Sequence, residues 1–277
     1  MSYYLAGLIE GNGSIIVPNK NISNKGIKNY PSIQFVFPLK DLPLALIIQK
    51  ELGQGMLQRK KGLNSYILNI NNSEGLILLA NLLNGYMRTP KINELYLLID
   101  WLNNNLSYLN IKKASLNKDP LINNPWLSGF IDGVGNFIVR TTSISKYPKM
   151  ECKFELYFNQ TNHKGVSNLS FLETIAELLQ TRVKAIRNNN IQPLFRVRTI
   201  NLRGNLLLEN YLNEENYPLF SNKYLEYKDW QKVLDIFKKM EHKKKEGIEK
   251  IINIQKGMND RRNIFTWNHL NKFYNLD

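Results

Sequence analysis

The sequence predicts an α+β protein made of two copies of one αββαββα unit, each carrying a four-stranded antiparallel sheet. The segment Leu5-Ala6-Gly7-Leu8-Ile9-Glu10-Gly11-Asn12-Gly13 returns as Leu127-Ser128-Gly129-Phe130-Ile131-Asp132-Gly133-Val134-Gly135, at a constant offset of 122 residues (127 − 5). A period of that length means a domain-sized unit present twice, not a solenoid of short repeats. The order of helical and extended patterns after each copy is also the same. Finally, the extended stretches alternate apolar and polar residues, as half-buried strands do.

The first copy opens with a helix over its glycine-bearing segment, and residues 14–17 follow as a strand. A polar loop over 19–29 carries Lys20, Lys25 and Lys28, and a second strand at 32–37 stops at Pro38. Residues 41–52 predict a helix ended by Gly53, because glycine suits the left-handed cap position. Strands at 55–60 and 65–70 are joined through Lys61-Gly62. A helix from Ser73, capped by Asn72 or Ser73, carries Leu76, Leu79 and Leu83. A last one spans 91–102.

The second copy repeats this order: strands at 136–142 and 150–158, a helix at 166–179, strands at 182–187 and 194–199, and a helix at 202–211. Lys91 leads into a helix bearing Asp100-Trp101, and Lys223 into one bearing Asp229-Trp230. The expected organisation is a first repeat over 1–110, a linker over 111–124, a second repeat over 125–240 and a basic extension over 241–277. A single chain would then be a monomer with an internal pseudo-dimer.

Bulk properties narrow the function classes. A formal charge of +14, from 37 Lys+Arg against 23 Asp+Glu, makes a surface that recruits polyanions, nucleic acid above all. The lone Cys152 excludes an intrachain disulfide framework. No apolar run approaches the roughly 20 residues of a membrane span, so no membrane role is expected. Met1-Ser2-Tyr3-Tyr4 does not open like a signal or transit peptide. The abundance of Asn, Ile and Lys, with A+T-rich codons, suggests a compact A+T-rich genome such as a mitochondrial one. His163, His242 and His269 lack metal-ligand spacing with cysteine, and Gly11-Asn12-Gly13 does not open a helix after a strand.

The repeated segment has its own chemistry. Residues at i and i+4 share a helix face, so Gly7 with Gly11, and Gly129 with Gly133, form bare strips along which two helices can touch backbones. A glycine in a helix interior costs about 1 kcal/mol, which a close crossing must offset.

The two segments resemble, almost letter for letter, the signature of the LAGLIDADG homing endonucleases and maturases. The likeness extends to Lys40-Asp41-Leu42-Pro43-Leu44, Arg88-Thr89-Pro90-Lys91 and Phe265-Thr266-Trp267-Asn268-His269-Leu270, and resembles the double-motif, intron-encoded, fungal mitochondrial type. The resemblance implies two units related by a pseudo-two-fold axis and forming a saddle. It also implies a carboxylate between the second and third glycines of each motif, where divalent metals would sit and drive phosphodiester cleavage. Those slots hold Asn12 and Val134, so no catalytic residue is intact and no metal ligand is expected. Glu10 and Asp132 precede the slots by two residues, which turns them about 200° away; both read as structural carboxylates.

Alternation also segregates charge. Arg196 and Arg198 oppose Phe195 and Val197, while Arg182 and Lys184 oppose Val183 and Ala185; Cys152 falls on an apolar side. Gln58 and Lys60 lie on one face of their strand and Arg59 on the other. The candidate nucleic-acid contacts are Lys20, Lys25, Lys28, Arg59, Lys60, Lys61, Arg140, Lys153, Arg182, Lys184, Arg187, Arg196 and Arg198. Further basic groups stand at Lys243, Lys244, Lys245, Arg261 and Arg262. By resemblance, the expected function is an RNA-binding maturase that assists folding and splicing of a group I intron. It would need no cofactor of its own, Mg²⁺ entering through the RNA, or at the interface between the repeats if nuclease activity is retained, and a protein co-factor remains compatible. The alternatives are a DNA-binding homing endonuclease, intact or silenced, and a scaffold in a ribonucleoprotein. The expected location is the mitochondrial matrix, with the gene in the organelle genome.

Overall fold

The computed structural model describes residues 1–19, 26, 29–59, 62–142, 149–187 and 192–276. The chain runs through α1 (Ser2–Asn12), β1 (Gly13–Ile16), β2 (Ser32–Pro38), α2 (Leu42–Leu52), β3 (Met56–Arg59), β4 (Ser65–Ile70), α3 (Ser73–Leu83) and α4 (Ile92–Asn105). It continues through α5 (Trp126–Val134), β5 (Gly135–Thr142), β6 (Lys149–Asn159), α6 (Leu169–Leu178), β7 (Val183–Ile186), β8 (Leu194–Arg198), α7 (Leu202–Tyr211), α8 (Lys223–Lys238) and α9 (Lys245–Lys256). The sheets have the same topology, β1-β2-β4-β3 and β5-β6-β8-β7, and every pairing is antiparallel. The protein is α+β, with the αββαββα order present twice.

Two compact units divide the chain. One comprises Met1–Gly133 together with the residues from His269 onward; the other spans Val134–Asn268. In the first, α1 is buried from Tyr4 to Glu10, and the inward positions Ile33, Phe35, Phe37, Leu68 and Ile70 of the sheet are each 2% exposed or less. In the second, Phe137 packs at a tilt against Phe154, Tyr227 and Trp230 with ring centroids 5.4 to 5.6 Å apart. Each such aromatic side chain contributes roughly 1.5–3 kcal/mol by leaving water. Cys152 is buried on this side, and burial pushes its thiol well above the usual range.

Several boundaries differ from expectation, each for a local reason. The helix expected over 166–179 starts only at Leu169, because the Asn162 side chain accepts the Lys164 and Val166 amides and closes a turn there. The helix expected from 41 begins at Leu42, behind a 3-10 turn at Leu39–Asp41; Gly53 caps it at φ 61°. The strand expected over 182–187 is only Val183–Ile186: Arg182 precedes it, and Arg187 leaves it in the left-handed region at φ 55°. Residues 111–124 are pinned to the first unit, Tyr96 Oη donating to Ala114 O at 2.7 Å and Asn117 N to Met87 O at 2.8 Å. A 3-10 turn at Glu241–Lys243 leads into α9, and short 3-10 turns at Asn259–Arg261 and Asn268–Lys272 follow.

Candidate nucleic-acid interface and helix-end site

Both glycine-strip helices end at the positions singled out by the motif. Helix α1 runs to Asn12 and α5 to Val134. Their crossing is backbone to backbone: a Cβ on Gly7 would stand 1.9 Å from Trp126 O, and one on Gly129 2.0 Å from Tyr4 O. Further along, a Cβ on Gly133 would be 3.0 Å from Gly11 Cα. Only hydrogen fits at Gly7 and Gly129.

The crossing is locked by a reciprocal pair of hydrogen bonds. Tyr4 and Trp126 occupy matching places, since 126 − 4 gives the repeat offset of 122. Tyr4 Oη donates to Asp132 Oδ2 at 2.8 Å, and Trp126 Nε1 donates to Glu10 Oε2 at 2.6 Å. Each helix thus presents a polar-tipped aromatic to the carboxylate of the other. Glu10 also accepts the Arg88 amide at 2.9 Å and the Thr89 amide at 2.6 Å, so it ties the crossing to the start of α4. Burial pushes its carboxyl up to about 7, against the pull of these donors. Both motif carboxylates are engaged in packing, and neither points at the helix end.

At the end of α1 the carbonyl oxygens meet a cation from the chain itself. Lys91 Nζ donates to Ile9 O at 2.7 Å, Glu10 O at 3.1 Å and Gly13 O at 2.7 Å, a cation placed against the negative end of the helix; Ile9 O also accepts the Gly13 amide. Burial lowers this ammonium to about 8. Asn12 Nδ2 donates to Val36 O at 3.0 Å, which leaves only its neutral Oδ1 as a weak ligand for Mg²⁺, and Val134 brings no ligand atom at all. Among the described residues no three His, Cys, Asp or Glu groups gather to hold a metal ion. Divalent metal is therefore a poor fit to this helix end.

The open faces of the sheets follow from register. In the first unit the row Ser14–Gln34–Asn69–Met56 crosses all four strands, with Val36–Ile67–Gln58 beside it and Ile16 paired to Ser32. No charged residue stands on these strand positions. Arg59 pairs with Tyr66, on the side of Leu57 and Leu68, so this exposed residue is not part of the open face. Lys20, Lys25, Lys28, Lys60 and Lys61 lie outside the described residues.

The second unit differs. Its open face carries Arg140, Lys149, Lys153, Lys184, Arg196 and Arg198. Two acids that sequence reading had not weighed, Glu151 and Glu155, stand among them. Glu155 is fully buried and accepts from Arg198 and from Tyr157 Oη. Lys153 Nζ meets Glu151 Oε1 at 2.8 Å; that hydrogen bond holds the Glu151 carboxyl below its ordinary range. Lys184 is exposed and directly pairs Arg196, whose Nε has no partner. Arg140, Arg182 and Arg187 are exposed. Of the expected contacts on this face, Lys184, Arg196 and Arg140 are the cations not committed to an acid by a hydrogen bond. Arg262 is spoken for as well: its guanidinium holds Glu226 and Asp229 of α8.

A family model of LAGLIDADG endonucleases matches residues 5–102 and again 127–234. The chain belongs to this family. Over 305 residues this LAGLIDADG protein is 30% identical to the intron-encoded DNA endonuclease aI3 of Saccharomyces cerevisiae, covering 98% of this chain and 72% of that one. It is 31% identical over 136 residues to the intron-encoded RNA maturase bI4 of the same yeast, across 48% of this chain and 18% of the relative. The crystal structure of the I-SmaMI LAGLIDADG homing endonuclease bound to cleaved DNA superposes with a TM-score of 0.72 at 19% identity, covering 95% of this chain and 98% of that one. The LAGLIDADG fold is thus shared over 95% of this chain.

Proposed function

We propose that this LAGLIDADG protein is an RNA maturase that binds and stabilises the folded form of a group I intron and does not cut DNA. One observation carries the reading: α1 ends in an asparagine whose amide is given to Val36 O, and α5 ends in a valine, so neither supplies a metal-binding carboxylate. Loss of metal-centred activation removes the means of generating the attacking hydroxide and of stabilising the leaving oxygen. Splicing assistance needs only fold and basic surface, because helical RNA is gripped through shape, phosphates and 2′-hydroxyls. Lys184, Arg196 and Arg140 are the phosphate contacts. The RNA supplies the chemistry and its own Mg²⁺; a differential affinity of about 3 kcal/mol shifts its folding equilibrium on the order of 100-fold. The likeness to a relative named as an RNA maturase supports this reading, as does the expectation of a mitochondrial intron origin.

A second reading, a DNA-binding homing endonuclease, is favoured by the longer likeness to a relative named as a DNA endonuclease. Two assays separate them. Purified protein is expected to accelerate splicing of its host intron at low Mg²⁺ and to leave a plasmid bearing the intron-insertion sequence intact in Mg²⁺ or Mn²⁺. Efficient double-strand cutting would replace the first reading with the second, and the absence of acceleration on the host intron would remove the maturase reading altogether.

A further inference from the structure

Helix α8 ends at Lys238, and the chain turns before entering α9. Met240 makes the turn in the left-handed region at φ 57°, a place after a helix that glycine or asparagine ordinarily fills. The 3-10 turn at Glu241–Lys243 follows, and the Lys244 amide donates to Glu241 O at 2.9 Å. This corner is rigid, because a Cβ on Gly247 of α9 would stand 2.1 Å from Glu241 O. His242 lays its ring on Phe237, with 4.2 Å between centroids. Left outside are Lys239, Lys243, Lys244 and Lys245, all exposed, and Met240 at 51% exposure. From 239 to 245 these lysines face one acid, Glu241, and among the described residues none of them is in an ion pair. Tyr227 and Trp230 of α8 pack on Phe137, on the face of the second sheet opposite to Lys184 and Arg196. The corner is thus no extension of the open face.

We propose that this corner docks the protein on an anionic phospholipid surface, with the four lysines against lipid phosphates and Met240 in the headgroup layer. Clusters of roughly four to eight basic residues bind such surfaces by charge, each lysine tightening the contact about fivefold, and the attraction fades beyond a Debye length. Charge complementarity brings the corner to the surface; Met240 gives it depth. Met240 is left half in water in a strained turn, and its thioether chain gains by moving among acyl chains. RNA fits less well. Bases stack on aromatic rings or guanidinium planes, and the exposed residues from 239 to 245 are lysine and methionine, with no arginine. Lysine is a compact, strongly hydrated charge suited to a diffuse layer, whereas arginine is the better grip on a fixed phosphate. Arg140 and Arg196 stand on the open face instead. No helix among the described residues is long and apolar enough to cross a membrane, and a surface contact of this kind needs none. It is independent of the maturase reading and leaves the open face of the second sheet uncovered.

The test is co-sedimentation of the full chain with vesicles of phosphatidylcholine alone and of equimolar phosphatidylcholine and phosphatidylglycerol. Wild type is expected to pellet with the second only. Lys243→Ala/Lys244→Ala/Lys245→Ala should weaken that partition about 100-fold, at fivefold per lysine, with splicing assistance unchanged. Lys184→Ala/Arg196→Ala, on the open face, should show the reverse. Met240→Gly separates insertion from charge alone. Glycine suits φ 57°, so this variant stays folded, yet its partition should fall roughly tenfold with the salt dependence unchanged. Equal binding to neutral and anionic vesicles, undiminished pelleting of the triple variant, or full partition of Met240→Gly would overturn the proposal. Loss of splicing assistance in the triple variant with vesicle binding intact would assign the corner to RNA instead. A wild type that assists splicing but ignores vesicles removes only this inference, and the converse removes only the maturase reading.

Discussion

The open faces of the two sheets share strand order and antiparallel pairing, yet one carries no charge on its described positions and the other mixes arginine and lysine with two glutamates. The helices α1 and α5, by contrast, remain near copies: glycine against backbone in both directions, and a polar-tipped aromatic against the opposite carboxylate in both. Duplicated units keep what packing dictates and diverge where nothing packs. A Cβ at Gly7 would collide with a carbonyl, whereas the exposed Lys184 answers only to solvent or a ligand. Divergence between the halves therefore marks the surface on which function is set.

The largest expected effects fall on the part that has not diverged. Gly7→Ala and Gly129→Ala should each destabilise by about 4 kcal/mol or more, because the crossing must open before a methyl fits; Gly7→Leu and Gly129→Leu should not fold. Thermal melts that barely move would refute the backbone-contact geometry. Next come Trp126→Phe and Tyr4→Phe. Each removes one donor from a buried carboxylate, an expected loss of about 1–3 kcal/mol, and similar values in denaturant titrations would establish the reciprocity of the lock.

On the charged face, Lys184→Ala and Arg196→Ala should each reduce the salt slope of nucleic-acid binding by about 0.7 to 0.9. Arg198→Ala should behave differently, since it strands Glu155 in a buried position; reduced stability, with a smaller change in salt slope, is the expected result. A full slope change for Arg198→Ala with unaltered stability would make the two faces less distinct than their pairing indicates.

The smallest effect concerns Glu151. Its folded carboxyl sits below the ordinary value because Lys153 bonds to it. The pair therefore stabilises at pH above the unfolded carboxylate range, and that contribution disappears as pH falls through the depressed folded value. For this partly exposed pair the difference between wild type and Glu151→Gln should be about 0.2–1 kcal/mol near pH 6 and should fade as pH falls through the depressed folded value. A difference that grows on acidification would reverse the sign.

Much of this was legible in the residues themselves. The offset of 122 places both motifs, and the i, i+4 glycines mark the crossing; period-2 alternation separates Cys152, Phe154 and Leu156 from Glu151, Lys153 and Glu155. The reciprocal lock was within reach too, because Tyr4 and Trp126 obey the same offset although their letters differ. Lys91 was not: its partners are backbone carbonyls of Ile9, Glu10 and Gly13 about 80 positions away, and backbone groups leave no trace in a sequence pattern.

What the sequence determined by itself is everything carried by local period and repetition: the α+β class, the doubling, the core faces and the absence of a carboxylate at positions 12 and 134. These depend on helix and strand geometry alone, which is the same wherever the segment lies. Only the tertiary structure decided which cations an acid neutralises. Arg198 and Lys153 look like Arg196 and Lys184 in sequence, yet the first pair is neutralised by Glu155 and Glu151 while the second is not. The cause is physical: ion pairing depends on distances across strands and on burial, and both exist only once the strands have found their register.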